Sequence, residues 1–242
     1  MTAVVLTRNE ERNLARALDA LPEGMPVLVV DHESSDRTAA IAQEHGARVI
    51  VRPFDGFVNA RRFALSQVWT PWTLMIDADE RPDDALREAI VLADGEAEGY
   101  VVARTTYYCE KPLRMWSNEP LLRLFRTDRA HVEAAPAAGG GAQLHERWVC
   151  DGRTARLNGT LEHYSYPDAA AYRSKYSAYT SIEARGVHAS VPAVLLQMLL
   201  VPLRFVNLLL RRGALLDGPA GWEIAWFSAL YPAVVAWKSI RS

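Results

Sequence analysis

Cysteine is scarce in this chain. The only two among 242 residues, Cys109 and Cys150, lie far apart and form no Cys-x-x-Cys pair. Neither a disulfide framework nor a zinc site is indicated, and a reducing compartment fits. Charge of one sign is also missing: 27 Lys and Arg stand against 29 Asp and Glu, a formal net charge of −2. No nucleic-acid partner is expected from that balance, although local basic patches are permitted. There is no glycine-rich dinucleotide fingerprint and no Gly-Lys-Ser/Thr phosphate loop, which disfavours hydride transfer and loop-cradled ATP hydrolysis. The opening "TAVVLTRNEE" has none of the basic start, apolar run and small-residue cleavage site of a secretory signal, so the catalytic part is expected inside the cell.

Half of the residues are hydrophobic, enough to bury a sizeable core as one large domain or a domain with an appendage. Apolar runs alternate with helix-periodic stretches. "TAVVL" leads into a segment where Leu14, Ala17, Leu18 and Leu21 recur at helical spacing. "PVLVV" ends in Asp31, followed by a polar loop, a helical run through Gln43 and a stop at Gly46. "ARVIV", "GFVNARRFALSQV" and "WTLMI" continue the pattern, with a further helix expected from about Pro82 to Ala93. This order predicts an α/β fold with a mostly parallel sheet flanked by helices.

In such sheets ligands gather beyond the carboxyl ends of the strands, here Thr7–Glu10, Asp31–Asp36 and Asp77–Asp79. The last group lies in "TLMIDADERP", where three carboxylates fall within four positions. If strand geometry persists past Ile76, Asp77 and Asp79 project the same way and offer two hard oxygen donors to Mg²⁺ or Mn²⁺. The competing reading is that these acids merely precede a helix with Pro82 in its first turn. Glu10 is either the acid of a Thr7-x-x-Glu10 capping box or a ligand contact. Asp31 either caps the next turn or accepts hydrogen bonds from a ribose or base edge.

Seven stretches in order, "VVLTRNEERNLARALDAL", "VLVVDHESSDRTAAIAQEHGARVI", "GFVNARRFAL", "WTLMIDADERP", "LLRLFR", "LHERW" and "LEHYSY", resemble the family 2 glycosyltransferases of GT-A fold. Among these the chain is most similar to lipopolysaccharide core-type β-glucosyltransferases. The resemblance implies an inverting transfer from a UDP-sugar, UDP-glucose above all, to a hydroxyl of a lipid-linked glycan. It implies Asp77 and Asp79 as the metal motif for Mg²⁺ or Mn²⁺, with His163 as a late ligand. Asp31 would be the nucleoside-contacting acid, Glu10 the acid of the first loop and Arg61 a basic residue near the nucleotide. Glu146 of "LHERW" is the candidate base that takes the acceptor proton, against a surface Glu paired with Arg147. Arg123 of "LLRLFR" can pair with phosphate or an acceptor oxygen, or face solvent. Arg62 and His32-Glu33 depart from the asparagine and small residues expected at those places.

The segment Glu133 to Gln143, rich in Ala, Pro and Gly, reads as a mobile loop beside the site or an inert length variation. The organisation expected is a catalytic domain over 1–166 and a helical, membrane-associating extension over 167–242. Within the latter, Tyr172, Tyr176 and Tyr179 share a helix face suited to packing. Val191–Gly213 and the stretch from Trp222 are apolar, the second with Trp and Tyr suited to a membrane interface. From Pro192 onward, Arg204, Arg211, Arg212, Lys238 and Arg241 stand against Asp217 and Glu223. Contact with an anionic membrane surface on its cytoplasmic face is therefore expected, with sheet-covering helices, a dimer interface or a transmembrane hairpin as alternatives. The competing functions are transfer to a polyprenyl phosphate, nucleotidyl transfer and a non-catalytic nucleotide-sugar-binding module.

Overall fold

The computed structural model describes residues 1–93, 95–134 and 146–241. The chain divides into two compact units. The first comprises Met1–Thr105, Asn118–Ala134 and Glu146–Tyr164, and the second includes Thr106–Ser117 and the chain from Ser165 on. In chain order the elements are β1 (Thr2–Thr7), α1 (Leu14–Asp19), β2 (Val27–Asp31), α2 (Thr38–Glu44), β3 (Arg48–Val51), α3 (Phe57–Ser66), β4 (Trp72–Asp77), β5 (Glu80–Pro82), α4 (Asp84–Val91), β6 (Gly99–Tyr108), β7 (Lys111–Pro112), β8 (Glu119–Arg126), β9 (Ala130–Ala134), β10 (Glu146–Cys150), β11 (Thr154–Tyr166), α5 (Ala169–Ala184), α6 (Val191–Leu199), α7 (Val201–Arg211) and α8 (Gly218–Arg241).

The sheet runs β3-β2-β1-β4-β8-β6-β11-β5, with β7 beside β6. Its first four strands are parallel, joined by the helices that the apolar periodicity predicts. Beyond β4 the sheet turns antiparallel, with β8 against β4 and β6, and β5 against β11. Successive residues of β1 feed opposite faces: Ala3 and Val5 pack with Leu14, Leu18, Leu86 and Ile90, whereas Val4 packs with Ala64, Met75, Phe125 and Trp148. Burial on both faces is why these strands read as unbroken apolar runs rather than as alternation.

Two local expectations are corrected. Pro82 does not open a helix: it ends β5, and α4 starts at Asp84 behind Asp83, whose carboxylate accepts from the Leu86 amide at 2.7 Å. Strand geometry does not persist to Asp79 either, because β4 stops at Asp77 and Ala78–Asp79 form a turn into β5. The alternation argument for Asp77 and Asp79 therefore fails. Residues 135–143 of the segment read as a mobile loop lie outside the described residues; its first two residues, Glu133 and Ala134, belong to β9.

The second unit is helical around α8. Gly221, Ala225, Ala229 and Ala233 form a buried ridge of small residues at four-residue spacing, which lets neighbouring backbone approach closely. A Cβ on Gly221 would lie 2.0 Å from the Ala214 carbonyl oxygen. Glu223 on α8 accepts from the Tyr108 hydroxyl at 2.9 Å and pairs with Arg173 at 2.6 Å. Two of the three α5 tyrosines pack as read from the sequence: Tyr172 and Tyr176 meet Phe227 edge-on, with ring centroids 5.8 and 5.0 Å apart, while Tyr179 is exposed.

Candidate active site

The loops after β1 and β2 interlock. Asn9 and Glu33 both take left-handed φ near +55°, a conformation asparagine tolerates through its short polar side chain. That turn lets Asn9 reach across: its amide donates to Ser34 Oγ at 2.8 Å, and its Oδ1 accepts from the Ser35 amide at 2.8 Å. Asp31, 1% exposed at the end of β2, accepts from Thr7 Oγ1 at 2.9 Å and from the Ser34 amide at 3.0 Å. Thr7 thus spends its hydroxyl on Asp31, and the capping box with Glu10 does not form. Glu10 instead accepts from Asn13 Nδ2 at 2.9 Å, while its amide donates to Thr38 Oγ1 at 2.8 Å. His32 is buried edge-on against Phe54, with centroids 5.2 Å apart, and burial lowers its pKa. Arg62 is exposed.

At the end of β4 lies a chain of alternating charges. Arg61 of α3 donates from Nη2 to Asp77 Oδ1 at 2.9 Å and from Nε to Glu146 Oε1 at 2.6 Å. The β9–β10 pair presents Glu146 there by seating Trp148 on Phe125, centroids 4.8 Å apart. Arg123 takes the other Asp77 oxygen at 2.9 Å, because the β4–β8 pairing sets Leu74 opposite Leu124 and brings Arg123 beside the strand end. The same Arg123 nitrogen donates to Glu80 Oε1 at 2.5 Å. Glu80 is fully buried; it also binds Arg104 at 3.2 Å and accepts from the Asp77 amide at 3.0 Å. Arg104 continues to Glu119 at 2.5 Å.

Burial alone would raise the pKa of Asp77, but the guanidiniums of Arg61 and Arg123 outweigh it and hold the carboxyl far below the usual range. Burial also works against both arginine charges. For Arg61 it is overcome by Asp77 and Glu146, and for Arg123 by Glu80 and Asp77, so both stay cationic. A buried ion cluster of this kind adds little net stability, since desolvation offsets most of the Coulomb gain. Arg61 Nη1 and Arg123 Nε are buried without a hydrogen-bond partner among the described residues. These spare donors suit an anionic ligand.

Asp79 and His163 meet separately. The β5–β11 pairing sets His163 opposite Glu80, and the Tyr164 amide donates to the Asp79 carbonyl at 2.8 Å. His163 Nε2 then lies 3.3 Å from Asp79 Oδ2, with both side chains largely buried. Among the described residues no group of three His, Cys, Asp or Glu converges as a metal cage. One carboxylate and one imidazole form a donor pair compatible with Mn²⁺, leaving other positions to ligand oxygens.

The sequence profile of glycosyl transferase family 2 matches residues 2–175. The chain belongs to that family. The lipopolysaccharide core biosynthesis glycosyltransferase LpsC of Rhizobium meliloti (strain 1021) is 28% identical, across 98% of this chain and 91% of that one. A glycosyltransferase of Rickettsia felis (strain ATCC VR-1525 / URRWXCal2) is 31% identical, across 76% and 69%. Among solved structures, the mannosyltransferase PcManGT from Pyrobaculum calidifontis, in complex with GDP-Man and Mn²⁺, aligns with a TM-score of 0.52 at 15% identity, covering 99% of this chain and 86% of that one. The likeness establishes a shared GT-A fold.

Within this family 2 glycosyltransferase, Arg61, Asp77, Arg123 and Glu146 form one connected cluster, Asp79 and His163 form a pair, and Asp31 and Glu10 lie in the interlocked loops. Sequence reasoning missed Glu80 and Arg104. Glu80 was visible as the third acid of "DADE", but its role depends on strand pairing, which no local pattern reports. Each oxygen of Asp77 meets an arginine, a pairing the sequence reading did not include.

Proposed function

We propose that the chain is an inverting hexosyltransferase that moves glucose from UDP-glucose to a hydroxyl of a lipid-linked glycan such as a lipopolysaccharide inner core, at the cytoplasmic face of the membrane. The observation that carries this reading is the Arg61 bridge, which holds Glu146 and Asp77 on one guanidinium. That bridge sets a carboxylate able to take a proton beside an anion-binding pair of arginines. The lipopolysaccharide core assignment of LpsC supports the acceptor class.

In the reaction the acceptor oxygen bonds to the anomeric carbon as that carbon's bond to the diphosphate oxygen breaks. Glu146 accepts the hydroxyl proton, and its contact with Arg61 Nε fixes the direction of the carboxylate. Arg123 and Arg61 meet the diphosphate with their spare N–H groups. Asp31 and Glu10 line the nucleoside side at the ends of β2 and β1.

Charge balance favours a metal. Arg61, Arg104 and Arg123 pair with Asp77, Glu80, Glu119 and Glu146, one acid in excess, so an entering diphosphate needs a further cation. Asp79 and His163 would hold Mg²⁺ or Mn²⁺ beside Asp77, the imidazole favouring Mn²⁺. The chemistry supplied there would be positive charge against the leaving diphosphate.

The test is nucleoside diphosphate release from a panel of nucleotide sugars with Mg²⁺ or Mn²⁺, using membrane glycolipid as acceptor and Asp79→Ala as control. Acceptor-dependent UDP release from UDP-glucose, abolished in the variant, is the expected result. Release of pyrophosphate, or binding without turnover across the acceptor panel, would overturn the proposal.

A further inference from the structure

The second unit leaves a continuous apolar face uncovered on α6, α7 and the 3-10 turn Ala214–Asp217. Val191–Arg211 is 21 residues long, and its most apolar 18-residue window has a mean hydropathy of 2.0, yet only 11% of that window is buried. A core helix would be mostly covered. On α6 every exposed residue is apolar, and the one polar side chain, Gln197, is half-buried and bonded to Arg204. On α7, Leu203, Val206 and Leu210 lie outward at helical spacing with Asn207 as the one exposed polar residue among them, while Val201 and Leu209 are buried. The outward leucines are 47% (Leu215) to 77% (Leu199) exposed.

Length and composition would permit a span, but three features oppose it. The helix breaks at Leu200, with Pro192 and Pro202 opening its two halves. The inner face packs on α8, where Val201 clusters with Ala229 and Ala233. α8 is itself tied into the unit by Glu223 with Tyr108 and Arg173, and by Lys238, whose ammonium donates to Thr180 and Ser181 hydroxyls at 2.8 Å. Pulling α6–α7 across a bilayer would strip that packing and put Arg204 in hydrocarbon.

Charge identifies the occupant. Between Val191 and Leu216 there are three arginines (Arg204, Arg211 and Arg212) and no acid. Arg211 and Arg212 are exposed at the end of the face. Asp217, just beyond, is occupied by the Arg114 and Met115 amides. Trp222 and Trp226, nearly half exposed, stand edge-on to Phe205 of α7, and tryptophan favours the headgroup level. We propose that this face is a monotopic docking surface for an anionic bilayer, lying in the membrane plane with its leucines in the acyl boundary. The inference concerns the bilayer alone and is independent of donor and acceptor.

Full-length chain is floated with vesicles of phosphatidylcholine alone and with about 30% phosphatidylglycerol, a composition chosen to supply anionic charge. Flotation with the anionic vesicles is expected. The double variant Leu199→Asp/Leu203→Asp should bind at least about tenfold more weakly while keeping its circular dichroism and melting temperature. Arg211→Gln/Arg212→Gln should lose roughly fivefold per charge on anionic vesicles only. Resistance of the native chain to alkaline carbonate extraction would overturn the proposal in favour of a span. Absence of flotation, with a lipid-free dimer that the aspartate pair dissociates, would overturn it in favour of a second copy of the chain. Nucleoside diphosphate release with a soluble acceptor reports the transferase reading separately, so either can fail alone.

Discussion

Glu80 and Leu199 occupy opposite exceptions to the same rule. Glu80 is a carboxylate with no exposed surface, held by two arginines and a backbone amide, whereas Leu199 is an aliphatic side chain 77% exposed. Charged groups are almost never fully buried unless paired, and contiguous exposed apolar faces are rare on monomers. In the first unit the exception is compensated inside the protein, by salt bridges that converge on Asp77. In the second it is uncompensated, so the missing partner has to come from outside. Comparing the two teaches where to look for each kind of function: buried charge marks chemistry, and exposed hydrocarbon marks an interface.

The sharpest break of the comparison lies at Glu146. Its exchange to Gln keeps the shape and the Arg61 contact but removes the proton acceptor. A fall in kcat of about 10²–10⁴-fold is expected, with little change in KM for the donor; unchanged turnover would show that Glu146 is only a partner of Arg61. Glu80→Ala should cost stability instead, about 3–5 kcal/mol in urea unfolding, because it leaves the Asp77 amide without its acceptor and takes one of two carboxylate partners from each of Arg123 and Arg104. Glu80→Gln, which keeps the size and one acceptor, should lose less.

Asp77 gives the pH signature of the first unit. Its folded-state pKa is depressed by Arg61 and Arg123 against the opposing effect of burial. The stability it contributes is therefore complete above the unfolded-state value of about 4 and declines as the pH falls below it. The native chain should lose stability more steeply on acidification through that window than Asp77→Asn does. Parallel curves would mean that the arginines are not held by Asp77.

Much of the first unit was legible because its determinants are local. Apolar runs ending in Asp31 and Asp77 marked the parallel strands, and Gly46 with φ near +71° stops α2 as a left-handed residue should. What misled was local pattern matched in the wrong context. Thr7 and Glu10 have capping-box spacing, yet Thr7 is still in β1 and its hydroxyl bonds Asp31 from the neighbouring strand. Asp79 and His163 meet only because β5 pairs with β11, and Glu80 acquires its role from Arg104 and Arg123 on two other strands. In the stretch from Trp222, the four-residue spacing of Gly221, Ala225, Ala229 and Ala233 was the available sign that one face of this helix packs inside the unit, while Trp222 and Trp226 stay exposed.

The smallest expected effect sharpens the comparison within the second unit. Ile224 on α8 has no exposed surface, and Ile224→Ala should cost about 2–5 kcal/mol as lost transfer energy plus a cavity. Leu199 is equally apolar but meets solvent, so Leu199→Ser should change the unfolding free energy by no more than about 0.5 kcal/mol. Urea unfolding of the two variants in lipid-free buffer measures both. If Leu199→Ser were as costly as Ile224→Ala, the face would already be covered in solution, and its occupant would be protein rather than lipid. A near-zero value leaves the leucine with nothing to do in the isolated fold, which is what a surface reserved for a bilayer requires.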